Sequence, residues 1–174
     1  SSAIVFLLIA FISIDVWGQD ADEILRRGFE LLEQGEYKEA LVDLDEAVRL
    51  ASDNERAWRH RGNARYGMKE YDRAIADYEE SLRLKPDNAM IYNNIGHIHY
   101  LGKEYDLAVE NYNEAIRLEP ESPLAHTNRG LCFWRMGEHE QAIADFSELI
   151  RIQPDMEGGY GFRGEIYLEL KEYG

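Results

Sequence analysis

Cysteine is almost absent from this sequence: Cys132 is the only one among 174 residues. An internal disulfide is therefore excluded. Because Cys132 lies in an apolar segment between Leu131 and Phe133, we expect a small core residue there rather than a reactive thiol. Glycine-rich phosphate loops, nucleophile elbows and clusters of cysteine with histidine are missing as well, which argues against an enzyme and against a metal or cofactor site.

Basic residues are also in short supply. The chain has 19 lysines and arginines against 34 aspartates and glutamates, which gives a formal net charge of −15. Such a surface repels nucleic acid phosphates and anionic lipid, so we expect no nucleic acid partner and no direct lipid binding by the folded part. The acidic excess is typical of a soluble, elongated protein; the alternative is that it attracts a basic partner.

No apolar run is long enough to cross a bilayer comfortably, which takes about 20 residues. The longest run covers residues 3–14 and reads AIVFLLIAFISI. This length is typical of a secretory signal peptide, and small residues at the third and first places before Gln19 favour cleavage there. We therefore predict that residues 1–18 are a signal peptide and that the protein is exported, either secreted or placed in the periplasm or envelope. The alternative is a membrane anchor formed by residues 3–17.

What the sequence does contain is a fixed period of 34 residues. Apolar residues within each period follow helical spacing, so each period is predicted to fold as a helical hairpin that buries its apolar face against the next. We expect small residues where two helices approach closely, and proline at the end of each second helix, because proline lacks an N–H and clashes with the preceding turn. The recurring residues are Gly28, Gly62, Gly96, Gly130 and Gly164, then Ala40, Ala74, Ala108 and Ala142, then Pro86, Pro120 and Pro154.

The second period carries the residues of a known family pattern. Its Trp58, Gly62, Ala74, Tyr78 and Pro86 fit the tetratricopeptide pattern of W-x2-L-G-x2-Y, then A-x3-F, then P. The chain resembles the tetratricopeptide repeat (TPR) family over nearly everything after its first twenty residues. This resemblance implies an all-α superhelical solenoid of helix-turn-helix repeats. The expected repeats are 21–54, 55–88, 89–122 and 123–156, with a partial fifth repeat at 157–174.

Both ends of the sequence favour a fragment of a longer protein. The fifth repeat has no second helix, and neither an initiator Met nor a basic segment precedes the apolar run near the start. A terminal repeat is expected to present a polar outer face, whereas this one carries Phe162 and Leu168. Self-association through this end is therefore one alternative for the partner.

One departure from the family pattern predicts a specific contact. The position before the glycine, usually leucine, holds arginine in four repeats but Ile95 in the third. Sixteen residues later stand aspartates, but Asn111 in the third repeat. Because the repeat without the arginine also lacks the aspartate, we predict an ion pair between the two helices of a repeat, since a partly buried guanidinium needs a carboxylate. The expected pairs are Arg27–Asp43, Arg61–Asp77 and Arg129–Asp145.

The resemblance also implies where a partner binds. In the family, the first helices of successive repeats line a concave groove that receives an extended peptide or a partner helix. Amides can pair with a peptide backbone, and aromatic rings can bury its side chains. The candidate groove residues are Arg56, Arg59, His60, Asn63 and Tyr66 in the second repeat, Met90, Asn93, Asn94, His97 and Tyr100 in the third, and Thr127, Asn128, Leu131 and Trp134 in the fourth.

Some family members clamp the C-terminal carboxylate of a heat-shock chaperone at this face. Arg59, Asn63 and Asn94 fall at matching places. Leu124 and Asn128, however, stand where such a clamp needs basic residues, so we expect no complete clamp here.

The function that follows is a non-enzymatic scaffold that binds a protein or peptide partner and needs no cofactor. Arrays of this kind serve many processes, and the fold does not choose among them. The alternative is a docking or regulatory module of a larger enzyme whose catalytic domain lies beyond residue 174.

Overall fold

A computed structural model describes residues 20–173, and residues 1–18, predicted to be a signal peptide or anchor, lie outside the described part. The described helices fall into two compact units: unit 1 ends at Pro86 and unit 2 begins at Asp87. Within residues 20–173, no helix combines the length and the apolar character that a membrane crossing requires.

Residues 20–173 form nine helices and contain no strand, so the predicted all-α class of helix-turn-helix repeats is confirmed. Each period of 34 holds a first helix and a second helix, and the last period holds a first helix only within the described part. Unit 1 contains α1 (20–33), α2 (Tyr37–Leu50), α3 (Glu55–Gly67) and α4 (Tyr71–Leu84); unit 2 contains α5 (Ala89–Leu101), α6 (Tyr105–Leu118), α7 (Pro123–Met136), α8 (His139–Ile152) and α9 (Glu157–Tyr173).

Side-chain caps begin the first helices. Asn54 accepts a hydrogen bond from the backbone N–H of the second residue of α3, at 3.0 Å. Asn88 and Ser122 accept from the third residues of α5 and α7. Such caps satisfy backbone donors that have no partner inside the helix. The second helices α4, α6 and α8 each end two residues before Pro86, Pro120 or Pro154, as the steric demands of proline require.

The turn inside each hairpin places one residue in the left-handed region. This residue is Gly35 in the first repeat and Gly137 in the fourth, both with φ of 78°. The second and third repeats use Lys69 and Lys103 at the equivalent position, both with φ of 62°. Glycine adopts this conformation without steric cost, whereas a lysine there is held by the surrounding hairpin.

The small residues of the period lie where two helices of a hairpin meet. Ala40, Ala74, Ala108 and Ala142 are fully buried. A Cβ added to Gly62 would lie 2.7 Å from the ring of Tyr78, and one added to Gly96 would lie 2.8 Å from the ring of Tyr112. Gly28 faces Leu44 and Gly130 faces Phe146 in the same way. These four glycines therefore make room for a large, fully buried side chain of the second helix.

Gly164 differs from the other four glycines, and the close approach expected there is absent. Apart from its two neighbours in the chain and the nearby backbone of its own helix, no described atom lies within 4 Å of a Cβ added at Gly164. The physical reason is that residues 20–173 contain no second helix of the fifth repeat to pack against this side of α9, which meets only α8 of the fourth repeat. Gly164 consequently has no packing role in the described part of the chain.

The three predicted ion pairs are present. Arg27 Nε donates to Asp43 at 2.6 Å, Arg61 Nη2 donates to Asp77 at 2.7 Å, and Arg129 Nη2 donates to Asp145 at 2.6 Å. In the third repeat Ile95 is buried, and the Asn111 side chain donates to the backbone carbonyl of Leu107 within its own helix. The paired loss of charge in that repeat thus leaves no unpaired partner.

The arginines also hold a residue of the preceding repeat, sixteen positions earlier. Arg61 Nη1 donates to Asp45 at 2.9 Å in unit 1. Arg129 Nη1 donates to Asn113 at 2.6 Å in unit 2, and Arg163 Nη1 donates to Ser147 at 3.3 Å. One guanidinium can serve both directions because its five N–H groups form a fixed fork.

Candidate functional site

The first-helix face of unit 1 is defined here by the candidate residues of α3 and by the neighbouring side chains of α1. Arg56 is exposed, and its guanidinium has no ion pair among the described residues. Arg59 is half-buried and lies 4.0 Å from Glu55, while its Nε is buried and has no hydrogen-bond partner in the described part. A buried N–H without a hydrogen-bond partner is costly, so this atom is suited to donate to a ligand's oxygen.

Asn63 has a structural role that its position in the sequence did not reveal. Its Oδ1 accepts a hydrogen bond of 2.8 Å from the hydroxyl of Tyr78, the fully buried ring that packs on Gly62. Tyr66, three residues further along α3, is half-buried with its ring centre 5.9 Å from that of Tyr71. Asn63 thus anchors the core of the second repeat as well as facing outward.

A pocket of about 280 Å³ opens between α1 and α3. Its lining includes Phe29 and His60, whose ring centres lie 4.7 Å apart with planes at 55°. His60 is 3% exposed, and its Nδ1 has no hydrogen-bond partner in the described part. Burial, together with the positive charges of Arg59 and Arg56, lowers the pKa of His60 to about 4, so this imidazole is neutral at physiological pH.

The first-helix face of unit 2 carries amides on adjacent helices. Asn128 Nδ2 of α7 donates to Asn93 Oδ1 of α5 at 3.1 Å, and Asn93 is buried. Asn94 and His97 are half-buried on α5. The ring of His97 stacks against that of Tyr100, with centres 6.3 Å apart and planes at 12°. The structure therefore brings together Asn93 of the third repeat and Asn128 of the fourth.

Trp134 is less available than the sequence suggests. Its Nε1 donates to Glu169 of α9 at 2.8 Å, and its ring meets that of Phe162 edge-on at 6.3 Å. Thr127 is likewise committed, since its hydroxyl donates to the Pro123 carbonyl at 2.7 Å. Met90, by contrast, is largely exposed. Leu131 is half-buried and packs on the core around Phe146.

Two residues of interest were missed by sequence reasoning. Phe29 occupies the same place in the first repeat as Asn63 in the second, so extending the face by one repeat would have found it. His126 is buried, with Nδ1 3.1 Å from Asp145 Oδ1 and Nε2 2.9 Å from the Pro120 carbonyl. Nothing in the local pattern marks His126, because both its partners come from outside its own helix.

The described residues hold no set of three or more histidine, cysteine, aspartate or glutamate side chains placed to bind a metal ion. Cys132 is fully buried, and burial raises the pKa of its thiol to about 12. A thiol in that state is a poor nucleophile. What the two faces offer chemically is hydrogen bonding, positive charge and aromatic surface.

Comparison with known families decides what this architecture is. Family models described as TPR repeat match residues 28–69, 62–102 and 96–137, and one described as tetratricopeptide repeat matches residues 123–156. The chain belongs to the tetratricopeptide repeat family. The resemblance inferred from Trp58 and the spaced glycines is therefore confirmed. No curated protein matches the sequence.

Solved structures of other TPR proteins share the fold. MamA from Desulfovibrio magneticus RS-1 is 20% identical, with 87% of this chain and 86% of that one covered and a TM-score of 0.81. YrrB, described as a TPR protein with an unusual peptide-binding site, is 21% identical, with 92% and 83% covered and a TM-score of 0.77. The first TPR of Spaghetti (RPAP3), solved with the HSP90 peptide SRMEEVD, is 20% identical, with 67% and 93% covered and a TM-score of 0.64.

The helix α3 buries mainly small residues, which distinguishes it from α8. The residues buried on α3 are Ala57, His60, Gly62 and Ala64, whereas α8 buries Phe146 and Leu149 among others. Apart from His60, Asn63 and the arginines that make ion pairs, the polar side chains of α3 are thus not part of the core.

Proposed function

We propose that this TPR chain is a non-enzymatic scaffold that binds an extended segment of a partner protein on the first-helix faces of its two units. The observation that carries the proposal is the combination of exposed or half-buried polar groups with aromatic rings on these faces. Arg56 and Arg59 in unit 1, and Asn94, His97 and Asn128 in unit 2, make up most of that polar surface.

The geometry of these groups suits a peptide backbone. An asparagine amide has two donor hydrogens and an acceptor oxygen, and Asn128 uses one donor on Asn93. Its remaining donor and acceptor can pair with one backbone carbonyl and one N–H of a bound strand. In unit 1, the buried Arg59 Nε can donate to a carbonyl or a carboxylate.

Relatives with the same fold support peptide binding as the mode of interaction. One is described as having a peptide-binding site, and another was solved with a chaperone peptide. Leu124 and Asn128 in place of basic residues argue that this chain recognises something other than a carboxylate held by a full clamp.

We also propose that the scaffold acts outside the cytoplasm, on the strength of the apolar run at residues 3–14. Edman sequencing of the protein produced in its source cell should begin at Gln19. An intact N-terminus on a membrane-associated protein would instead favour an anchor at residues 3–17.

The scaffold proposal is tested by affinity capture with one variant for each unit. The unit 1 variant is Arg56→Ala with Arg59→Ala, and the unit 2 variant is Asn94→Ala with His97→Ala. The control is Arg73→Ala with Arg83→Ala on α4, which removes the same charge as the unit 1 variant. Both side chains are exposed, and they pair only with close neighbours in the sequence, Arg73 with Glu70 just before α4 and Arg83 with Glu80 on α4.

We expect a partner that is retained by the wild type and the control but lost with at least one face variant. Overlapping peptides of that partner should then reproduce the pattern in calorimetric titration. A partner captured equally by all four proteins would show that the first-helix faces do not bind it and would contradict the proposal.

A further inference from the structure

The pocket between α1 and α3 combines an apolar floor with a charged rim. Leu25 is buried, Phe29 is partly exposed, and the neutral ring of His60 completes the floor. Asp22, Arg26 and Arg56 form the rim. All six side chains belong to unit 1, so the pocket is complete within a single compact unit.

The floor suits an aromatic side chain. The Phe29 and His60 rings already meet at 55°, and a third ring can pack against such a pair in an offset or edge-on arrangement. A pocket of about 280 Å³ is large enough, because an apolar cavity of about 150 Å³ can hold benzene. Because His60 is neutral, burying a ring against it desolvates no charge.

The two arginines of the rim are not equivalent. Arg26 is engaged by Glu23 at 2.6 Å and also by Glu30. Arg56 has no ion pair among the described residues, although the chain as a whole carries a net charge of −15. Arg59 lies one turn along the same helix, 4.0 Å from Glu55, and its buried Nε has no hydrogen-bond partner among the described residues. The unpaired charge of Arg56 favours an acidic group of a ligand at this spot.

We propose that this pocket receives one phenylalanine-type side chain of an extended peptide and that Arg56 pairs with an aspartate or glutamate next to it. The inference rests on the proposed function, since it names the partner chemistry for the unit 1 face. Aromatic anchors in pockets, flanked by charge at the rim, are the usual centres of binding energy in protein interfaces.

The test uses three defined peptides titrated into the isotope-labelled full chain and followed by NMR amide shifts. The first, acetyl-SGDFDGS-amide, contains the proposed motif. The second replaces its Phe with Ala, and the third replaces both Asp with Lys. We expect the first peptide to shift the amides of Phe29, Arg56 and His60 and to bind at least about tenfold more tightly than either of the others.

Two variants separate recognition from folding. Phe29→Ala should weaken the first peptide at least about tenfold, because it removes one wall of the pocket. Arg56→Glu should reverse the preference, so that the lysine-flanked peptide binds more tightly than the aspartate-flanked one. Arg73→Glu, an equal charge reversal on exposed α4, should leave the preference unchanged. Circular dichroism establishes that each variant is folded.

Several results overturn the inference. The first peptide fails to bind up to about 1 mM, or all three peptides bind equally. Alternatively, the amide shifts map to residues away from the pocket, or Arg56→Glu leaves the preference for the aspartate-flanked peptide unchanged. None of them bears on the scaffold proposal if affinity capture yields a partner lost with the unit 2 variant. Conversely, a partner indifferent to both face variants contradicts the scaffold proposal, whatever the peptides do.

Discussion

Replacing Asp77 should lower the stability of the second repeat strongly. Its carboxylate is 1% exposed and accepts three hydrogen bonds: from Arg61 Nε at 3.0 Å, from Arg61 Nη2 at 2.7 Å and from Arg65 Nη1 at 2.8 Å. The side chains of Arg61 and Arg65 are themselves only 13% and 17% exposed. Asp77→Ala therefore leaves two largely buried cations without their main partner.

The expected loss follows from that geometry. Breaking a buried ion pair by removing one partner typically costs about 3–5 kcal/mol, because the remaining charge stays desolvated. Asp45 can take over only part of the Arg61 charge, since it already accepts from Arg61 Nη1. We expect Asp77→Ala to lower the free energy of unfolding by about 3–5 kcal/mol, measured by urea denaturation followed by circular dichroism.

The chain itself offers two controls. Asp43→Ala removes the equivalent carboxylate of the first repeat, but its partner Arg27 is 58% exposed and can be solvated, so the loss should be clearly smaller. Arg61→Ile with Asp77→Asn recreates the residues that the third repeat holds at Ile95 and Asn111. Because Arg61 leaves together with the carboxylate, and Arg65 keeps Asp45 at 3.7 Å as a partner, this double variant should lose less than Asp77→Ala does.

The reasoning fails if Asp77→Ala does not lose more stability than both controls. A loss below about 1 kcal/mol for Asp77→Ala would mean that water reaches the two guanidinium groups. A double variant as damaging as the single one would mean that shape, rather than uncompensated charge, sets the cost.

Four further predictions concern single positions. Gly96→Ala should lower the free energy of unfolding by about 1–3 kcal/mol, because the added Cβ would press on a buried tyrosine ring. Gly164→Ala should raise it by about 1 kcal/mol, because the added Cβ meets no described atom and alanine favours the helix. Chemical denaturation measures both changes and distinguishes their signs. Lys69→Gly should raise stability by at most about 1 kcal/mol by relieving the left-handed φ of 62°, and an unchanged or lower melting temperature would contradict this. The pKa of His60 falls from 6.5 to about 4 on folding, so the unfolded chain binds a proton at a higher pH than the folded chain does. Stability should therefore be lost as the pH falls from about 6.5 to about 4. His60→Gln should flatten the plot of melting temperature against pH over this range. Cys132 should react with a thiol reagent at pH 8 only after unfolding, since burial raises its pKa to about 12, and rapid labelling of the native protein would refute it.

Much of the fold could be predicted because the same pattern of small, apolar and proline residues recurs in each repeat. The period of 34 locates the hairpins, and helical spacing within it orients their apolar faces. The correlated absence of charge at Ile95 and Asn111 even predicted which arginines and aspartates pair. Comparison among repeats of one chain did the work that comparison among proteins usually does.

The candidate site was harder to predict, because it depends on side-chain contacts that the repeat pattern does not show. Asn63 looked like a free amide, but it holds the hydroxyl of buried Tyr78. Trp134 looked like a groove aromatic, but its indole N–H is taken by Glu169, thirty-five residues away. Phe29 escaped notice because the face was listed only from the second repeat onward. None of these contacts follows from the pattern of one repeat alone.

The backward hydrogen bonds of the arginines bear on how finely the protein can be divided. Arg61 holds Asp77 of its own hairpin and Asp45 of the hairpin before it, and Arg129 does the same with Asp145 and Asn113. Here each of the two sides of such a guanidinium that donates a hydrogen bond is called an arm. A hairpin excised alone would keep the arm to its own aspartate and expose the arm to the preceding hairpin. In unit 1, the smallest piece that satisfies every arm is the pair of hairpins α1–α4. In unit 2 that piece extends from α5 to α9, because Arg163 also holds Ser147. Limited proteolysis should therefore release whole units, and a protein engineer who shuffles this array should move each unit in one piece.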